Sequence, residues 1–327
     1  MRCAGNVAGS HVRVRLLSST LAGFRMADAA QLRTYVTIAK LTGIKRGTKN
    51  RNPMHLTAVR RRIPQPIKLA FLQVQDAVDF ILMRRDPLIP PRRLNFVGAG
   101  DFKTVGEEFF RYFVDLGGLK PTDSVLDVGC GIGRMAVPLT RYLNDSGRYE
   151  GFDIVARGIA WCNANIAGRF PAFHFTHSNV FNGNYNPGGT IPASEYVFPY
   201  ASRSFDFVFL TSVFTHMLPS DLEHYLSEIS RVTKPGGRCL LTFFVLNKES
   251  LALIAAGRST QDFRHAVENW RTTNPNNPEW AVAYPEEFAR NLLSKHGWSI
   301  SEPLHYGSWC GRAQYLSYQD IIIATRK

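Results

Sequence analysis

The chain has 327 residues, a hydrophobic fraction of 45% and a formal net charge of +13 at pH 7. This composition is typical of a globular protein, and the length exceeds that of one ordinary domain. No apolar stretch is long enough for a transmembrane helix. The five cysteines are scattered without a C-x-x-C pair, which argues against a structural zinc site and favours a reducing compartment.

The excess of basic residues lies at the start of the chain. Residues 1–100 contain 18 Lys or Arg and 4 Asp or Glu, a balance of +14, whereas the remaining 227 residues contain 21 and 22. We therefore predict a basic, partly disordered extension over 1–94, which is the candidate contact for nucleic acid or an anionic membrane. Residues 1–27 have several Arg and Ser but no acid, which is typical of a mitochondrial transit peptide; alternatively, Met26 is the true start.

Within this extension, the pattern predicts a short helix over 30–42 and a mobile basic segment over 44–62. An amphipathic helix follows near 67–85, with an apolar stripe and two arginines at its end, and the prolines of 87–91 terminate it. This helix either docks on the following domain or contacts an anionic membrane or an acidic partner.

The second region, 95–327, is predicted to open with a helix over 103–117 and then to alternate strands and helices. Strands are predicted at 124–128, 149–153, 172–176, 205–210, 238–245, 298–305 and 317–325, and helices at 133–143, 155–167, 219–232 and 285–296. This alternation indicates an α/β fold in which helices cover both faces of a mostly parallel sheet. The last two strands are joined by 306–312, which leaves no room for a crossover helix, so they are expected to be antiparallel.

The most informative motif is the segment from Val125 to Gly133. An apolar strand ends in three glycines spaced every second residue, and a helical pattern begins at Arg134. Glycines allow positive φ and close approach of a ligand, and a helix start offers free N–H groups. An acidic residue, Asp153, stands near the end of the next strand, where a carboxylate can accept both hydroxyls of a ribose. The alternatives are a dinucleotide site and a glycine turn that binds no ligand.

The pair formed by D-x-G-x-G-x-G and an acidic strand end resembles the class I S-adenosylmethionine-dependent methyltransferases. The resemblance covers 95–327 and implies a Rossmann-like, seven-stranded, mostly parallel sheet with an antiparallel C-terminal strand, beside the basic N-terminal helical extension. It implies S-adenosyl-L-methionine as cofactor. The cofactor-binding residues implied are Asp127, Gly129, Gly131, Gly133, Asp153, Ile154, Asn179, Val180 and Thr211, where Asn179 replaces the usual Asp.

His216 follows the fourth strand and is the candidate catalytic base, because a neutral imidazole can take a proton from a hydroxyl or an amine. The alternative is a histidine that caps local structure. Substrate residues are expected in the segments 181–204, with Tyr185, and 247–284, with Trp280. They are also expected in the terminal hairpin, where Trp309, Arg312 and Tyr315 would bind the acceptor unless they only pack the hairpin.

The stretch Thr211 to Met217, the helix after it and the Lys234-Pro235-Gly236-Gly237 turn resemble bacterial small-molecule methyltransferases. The leading hypothesis is therefore methyl transfer, by preference to oxygen, on a small-molecule, lipid or glycan acceptor without a catalytic metal. The alternatives are an RNA methyltransferase that uses the basic arm and a non-catalytic cofactor-binding module. A cytoplasmic location is expected, with mitochondrial and peripheral-membrane alternatives, and the sequence leaves the oligomeric state open.

Overall fold

The computed structural model describes residues 65–82, 85–98 and 100–327. The predictions for 1–27, 30–42 and 44–62 lie outside these residues. Among the helices that are described, none combines the length and the apolar composition needed to cross a bilayer.

A seven-stranded sheet forms the centre of the fold. Its strands are β1 (Ser124–Val128), β2 (Arg148–Asp153), β3 (Phe173–His177), β4 (Phe205–Leu210), β5 (Thr233–Phe243), β10 (Trp298–Ile300) and β11 (Asp320–Arg326). Their order across the sheet is β10-β11-β5-β4-β1-β2-β3. The strands β3, β2, β1, β4 and β5 are parallel neighbours, and β11 runs antiparallel to both β5 and β10. The predicted fold class is thereby confirmed.

The described α-helices are α1 (Gln65–Ile81), α2 (Phe102–Asp115), α3 (Ala136–Leu139), α4 (Ala156–Cys162), α5 (Pro219–Val232), α6 (Lys248–Ala255) and α7 (Glu286–Lys295). Each face of the sheet has its own apolar core, as expected for a parallel sheet covered on both sides. Because β1, β2 and β4 are parallel, their carboxyl ends lie at the same edge of the sheet. Ligands bind at this edge in open α/β sheets.

The helix predicted over 133–143 is much shorter than expected, because α3 has only four residues. Pro138 lacks an N–H, so it cannot donate to the Arg134 carbonyl, and the hydrogen-bond ladder that starts at Gly133 is interrupted. A tight turn rather than a full helix therefore follows the third glycine.

The Pro-Gly-Gly turn also differs from its prediction. It was expected before the fifth strand, yet Thr233 already pairs with Phe205, and the register shifts before Phe207 pairs with Arg238. The turn is therefore a bulge inside β5. A bulge suits this sequence because Gly236 has a positive φ.

A second, smaller sheet was not predicted. It consists of β6 (Val245–Leu246), β7 (His265–Val267), β8 (Trp270–Thr272) and β9 (Val282–Pro285), in the order β6-β9-β8-β7. This sheet occupies the segment 247–284 that was interpreted as a variable loop. It places the residues that follow β8 beside the carboxyl edge of the central sheet.

The terminal hairpin is longer than predicted, because β10 ends at Ile300 and β11 begins at Asp320. The connection of 301–319 is held by Asp320, which is 1% exposed. Its carboxylate accepts hydrogen bonds from the backbone N–H groups of Val245 (2.7 Å) and Gly307 (2.7 Å). The connection is thus fixed onto the small sheet rather than free above the cavity.

Helix α1 packs on the segment that follows it. Asp76 is 2% exposed, and its carboxylate accepts hydrogen bonds from the backbone N–H groups of Arg92 (2.8 Å) and Arg93 (3.3 Å). A buried carboxylate needs such partners, so this contact fixes the end of the helix near the start of the predicted domain.

Candidate active site

A cavity of about 830 Å³ opens at the carboxyl ends of β1, β2 and β4. One end is formed by the glycine turn after β1 and by Asp153 at the end of β2. The other end contains His216, Tyr185 and Trp280, which come from the loops after β4, after β3 and before β9. Helix α2 and the residues just before it cover the cavity through Val105 and Phe109. The fold thus joins a candidate donor site and a candidate acceptor site in one space.

The glycine turn is tied to the neighbouring strand. The N–H groups of Gly129 and Cys130 both donate to the Phe152 carbonyl, at 2.9 and 3.0 Å. Gly129 and Gly131 have φ of 80° and 60°. A Cβ at Gly129 would overlap Val213, and one at Gly131 would lie 2.5 Å from Val97 Cγ1. Only glycine allows the backbone to lie this close to the cavity.

Asp153 faces the cavity and is also bound to the turn. Its Oδ2 accepts a hydrogen bond from Gly131 N (2.7 Å), and its Oδ1 accepts one from Val155 N (2.7 Å). Burial raises the pKa of Asp153, and these backbone N–H groups oppose that shift. Each carboxylate oxygen keeps a lone pair, so two ribose hydroxyls can still donate to it.

Asp127 lies under the turn rather than in the cavity. It is 0% exposed, and its Oδ2 accepts a hydrogen bond from the Tyr149 hydroxyl at 2.6 Å. Its Oδ1 has no partner among the described residues. Burial raises the pKa of Asp127 to about 8. One buried oxygen is therefore left without a hydrogen-bond partner among the described residues.

The other predicted cofactor residues divide into two groups. Ile154, Val180 and Thr211 line the cavity. Gly133 does not, because it packs against Ile166 and Cys162, where a Cβ would collide.

Asn179 does not line the cavity either. Its Nδ2 donates to Thr190 Oγ1 (2.8 Å), and its carbonyl accepts from the N–H groups of Thr190 and Ile191. It therefore shapes the loop after β3, and the amides that do face the cavity are Asn182 and Asn184. Sequence position alone could not separate these three asparagines.

His216 is in a short 3₁₀ helix, Phe214–His216, at the acceptor end. Its Nδ1 donates to the Glu279 carbonyl at 3.0 Å, and its ring lies edge-on to Tyr185, with ring centroids 5.6 Å apart. Within the described part of the chain, Nε2 has no hydrogen-bond partner. Burial lowers the pKa of His216, so the imidazole is neutral at pH 7 and Nε2 carries a lone pair.

Two loops meet over the acceptor end. Asn184 and Asn277 exchange side-chain amide hydrogen bonds, at 2.7 and 3.3 Å, and the Glu279 carboxylate accepts from Gly183 N at 3.1 Å. We call this arrangement the loop clasp. It fixes the loop after β3 to the loop before β9, and so it fixes the carbonyl that orients His216.

Ser212 is a cavity residue that the sequence did not reveal. Its φ is 60°, which is costly for a residue with a Cβ. Two contacts hold it there: its N–H donates to Thr242 Oγ1 (2.8 Å), and its hydroxyl donates to Gln319 Oε1 (2.9 Å). This conformation turns the chain after β4 along the wall of the cavity.

The hairpin residues predicted to bind the acceptor do not line the described cavity. Trp309 is 0% exposed, and its Nε1 donates to Asp320 at 2.6 Å. Arg312 is 5% exposed and pairs with Asp320 (3.1 Å) and Glu249 (2.9 Å). Tyr315 is exposed outside the cavity. Trp309 and Arg312 therefore pack the hairpin, which was the alternative to acceptor binding, because both donate to the buried carboxylate of Asp320.

The cavity wall on this side comes instead from neighbours of the predicted residues. Phe244, at the end of β5, and Ser317, Tyr318 and Gln319, directly before β11, face the cavity. Tyr185 and Trp280, which were expected in the two variable segments, face it as well. The hairpin does reach the acceptor side, but with residues a few positions later than expected.

Part of the chain is similar to known methyltransferases. A family model described as a methyltransferase domain matches residues 126–241. The probable methyltransferase ltbC of Aspergillus luteorubrus is 35% identical over 123 residues, which are 36% of this chain and 39% of that protein. The tRNA N(3)-cytidine methyltransferase METTL2 of Gallus gallus is 25% identical over 137 residues, 39% of this chain and 32% of that protein. The chain thus matches about a third to two fifths of the length of these relatives.

Among solved structures, the magnesium protoporphyrin IX methyltransferase ChlM of Synechocystis PCC 6803 with bound SAH aligns with a TM-score of 0.46 and 17% identity. The alignment covers 80% of this chain and 100% of that one. The matched residues 126–241 include the glycine turn, Asp153 and His216. Over these residues the chain is similar to methyltransferase domains.

Proposed function

We propose that this protein transfers a methyl group from S-adenosylmethionine to an oxygen of a small-molecule, lipid or glycan acceptor. The observation that carries the proposal is the cavity that joins the glycine turn and Asp153 to His216. When bound, S-adenosylmethionine supplies a methyl group that is activated by a positively charged sulfur. The donor and the acceptor would then lie side by side in one cavity, and this proximity is the main requirement for direct methyl transfer.

The residues of the donor end fit this cofactor. The Asp153 carboxylate would accept the two ribose hydroxyls, and Ile154 and Val180 would pack on the adenine ring. The strand end at Thr211 would hold the methionine moiety. A water molecule would satisfy Oδ1 of Asp127, which has no partner among the described residues.

His216 acts as the general base at the acceptor end. Because Nδ1 donates to the Glu279 carbonyl, Nε2 is the unprotonated nitrogen. Nε2 would accept the proton of the acceptor hydroxyl while the bound cofactor supplies the methyl group. The protonated His216 would then release this proton to water.

RNA is the second candidate acceptor, supported by the similarity to the tRNA methyltransferase and by the basic first hundred residues. The lining of the cavity argues against RNA, because it contains four carboxylates and one guanidinium. A polyanion is repelled by such a lining. We therefore favour a small acceptor.

Incubation of the protein with methyl-labelled S-adenosylmethionine and an extract of its source cells tests the proposal. We expect label in the small-molecule or lipid fraction, and we expect His216→Ala to lower its rate of appearance by at least about 100-fold, the usual contribution of a general base. Glu150→Gln is the matched control, because Glu150 pairs with His174 away from the cavity.

The fraction in which the label appears decides between a small-molecule or lipid acceptor and RNA. Label that appears in RNA supports the second candidate and contradicts the first. Donor binding without label in any fraction contradicts both enzyme proposals and supports a non-catalytic module. A His216→Ala variant with full activity removes the general-base role.

A further inference from the structure

The charge of the cavity lining points to the chemical class of the acceptor. Its ionisable groups include four carboxylates, those of Glu108, Asp153, Asp221 and Glu279, against the single guanidinium of Arg134. None of these carboxylates forms a salt bridge within residues that the structure describes. The Arg134 guanidinium is directed at the carbonyls of Val97 and Gly98 and is therefore engaged.

Two of the carboxylates lie at the acceptor end. Glu279 belongs to the same short helix, Pro278–Trp280, whose backbone orients His216. Asp221 is in the first turn of α5, and its charge, together with burial, raises the pKa of Glu279. Burial likewise raises the pKa of Asp221. Two carboxylates that repel each other in a partly dry space are stabilised by a cation.

Aromatic side chains stand in the same part of the lining. Tyr185, Trp280 and Tyr318 are 44%, 60% and 44% exposed, although they border the cavity. Such rings attract a cation through their π faces and also stack on a planar ligand. Rings together with carboxylates favour an alkylammonium-type group over a neutral or anionic one.

The donor does not neutralise this lining. At neutral pH S-adenosylmethionine carries a sulfonium, an ammonium and a carboxylate, a net charge of +1 on the usual ionisation of these groups. Together with Arg134 this offsets two of the four carboxylates, so a negative charge of two remains in the lining.

We propose that the acceptor is a planar aromatic molecule with a positively charged nitrogen, which binds between Glu279, Asp221 and the rings of Tyr185 and Trp280. This inference rests on the proposed function, because it takes the cavity beside His216 as the acceptor site. The cavity provides the space for this ligand, and the carboxylates favour a ligand with a positive charge. Anionic acceptors are excluded by the same groups.

A matched series of three phenols tests the proposal in the full-length protein saturated with S-adenosylhomocysteine. Tyramine is cationic, 4-ethylphenol is neutral and 3-(4-hydroxyphenyl)propionate is anionic, on the same ring. Their dissociation constants are measured by ligand-observed NMR. We expect tyramine to bind about tenfold more tightly than the anion, with 4-ethylphenol between them.

Charge-neutral variants locate the selectivity. In Glu279→Gln combined with Asp221→Asn, the preference for tyramine should fall to about twofold or less, since only the rings remain. Glu279→Gln keeps an oxygen that accepts from Gly183, so the loop clasp is preserved. Glu287→Gln is the control, because Glu287 is exposed and lies outside the cavity lining.

The proposal is overturned if the anion binds as tightly as tyramine, if the preference persists in the double variant, or if none of the three phenols binds. Titration of each protein with S-adenosylhomocysteine before the phenols are added separates this failure from that of the proposed function. Intact S-adenosylhomocysteine binding without cation preference contradicts the acceptor class alone. Absent S-adenosylhomocysteine binding contradicts the donor site.

Discussion

At the scale of single residues, His216 shows how backbone contacts set chemistry. The Glu279 carbonyl fixes the tautomer, and burial keeps the ring neutral. The sequence predicted the residue but not this partner, because Glu279 is 63 positions away along the chain. Contacts of that range depend on the small second sheet, which no local pattern revealed.

The pH dependence of turnover follows from this arrangement. Because the pKa of His216 is lowered below its usual 6.5, the active neutral form persists into mildly acidic solution. We expect kcat to be flat above pH 6.5 and to fall as the pH drops through the lowered pKa. Rates measured from pH 4.5 to 9 test this, and His216→Gln should lack that acidic limb. A limb that is unchanged in the variant assigns it to another group.

Asp127 makes a prediction about stability instead. Its pKa is raised from 3.8 to about 8 in the folded chain, so the folded state holds a proton that the unfolded state releases above pH 4. The stabilising contribution is complete below pH 4 and is lost as the pH rises towards and through 8. Asp127→Asn should therefore flatten the decline of the free energy of unfolding between pH 4 and 8. Parallel curves for the two proteins would contradict this assignment.

At the scale of elements, β1, β2, β3 and β4 begin and end within one residue of their predicted bounds. Their apolar runs are punctuated by glycine, proline or acidic turns, so local pattern is sufficient there. The helix predicted over 133–143 is shortened by one residue, Pro138, which has no N–H to donate. Hydrophobic periodicity does not show this loss of a hydrogen bond. The residues predicted to bind the acceptor, Trp309 and Arg312, do not line the cavity, because both side chains pair with the buried carboxylate of Asp320.

The loop clasp is expected to hold the loop after β3 in place at the acceptor end of the cavity. Asn277→Ala removes both amide hydrogen bonds to Asn184, each worth about 0.5–1.5 kcal/mol. Hydrogen exchange of residues 181–187 should then be about 5- to 100-fold faster, as expected when local opening becomes easier. Asn276→Ala is the control, since the Asn276 side chain is exposed. Equal exchange in both variants would show that the clasp does not hold the loop.

At the scale of the whole molecule, the buried pair of Arg312 and Asp320 joins the last strand to the connection of 301–319 that precedes it. Both side chains are 2% exposed. Removal of Arg312 leaves the buried Asp320 carboxylate without its positively charged partner, so Arg312→Met should lower the free energy of unfolding by about 3–5 kcal/mol. Urea denaturation measures this loss.

Arg264→Met is the matched control, because Arg264 pairs with Asp262 on the exposed surface and its removal should leave the urea midpoint unchanged. A midpoint that is also unchanged in Arg312→Met would show that the pair does not stabilise the fold. The packing role assigned to Arg312 would then have to be replaced.

The fold class of the whole molecule was predictable because motif, strand order and the closing hairpin all indicated the same architecture. The candidate donor site follows from that architecture, since its residues stand at strand ends that the topology brings together. The candidate acceptor site depends on loops whose positions are set by long-range contacts, and only the structure brings Tyr185, His216 and Glu279 together.

Calorimetric titration with S-adenosylhomocysteine tests the central claim most directly. We expect one binding site per chain in the wild-type protein and at least about tenfold weaker binding in Asp153→Asn, which loses charge-assisted hydrogen bonds to the ribose. Glu150→Gln, on the same strand, should bind as the wild type does. Absence of binding to the wild-type protein, or unchanged affinity in Asp153→Asn, would contradict the account.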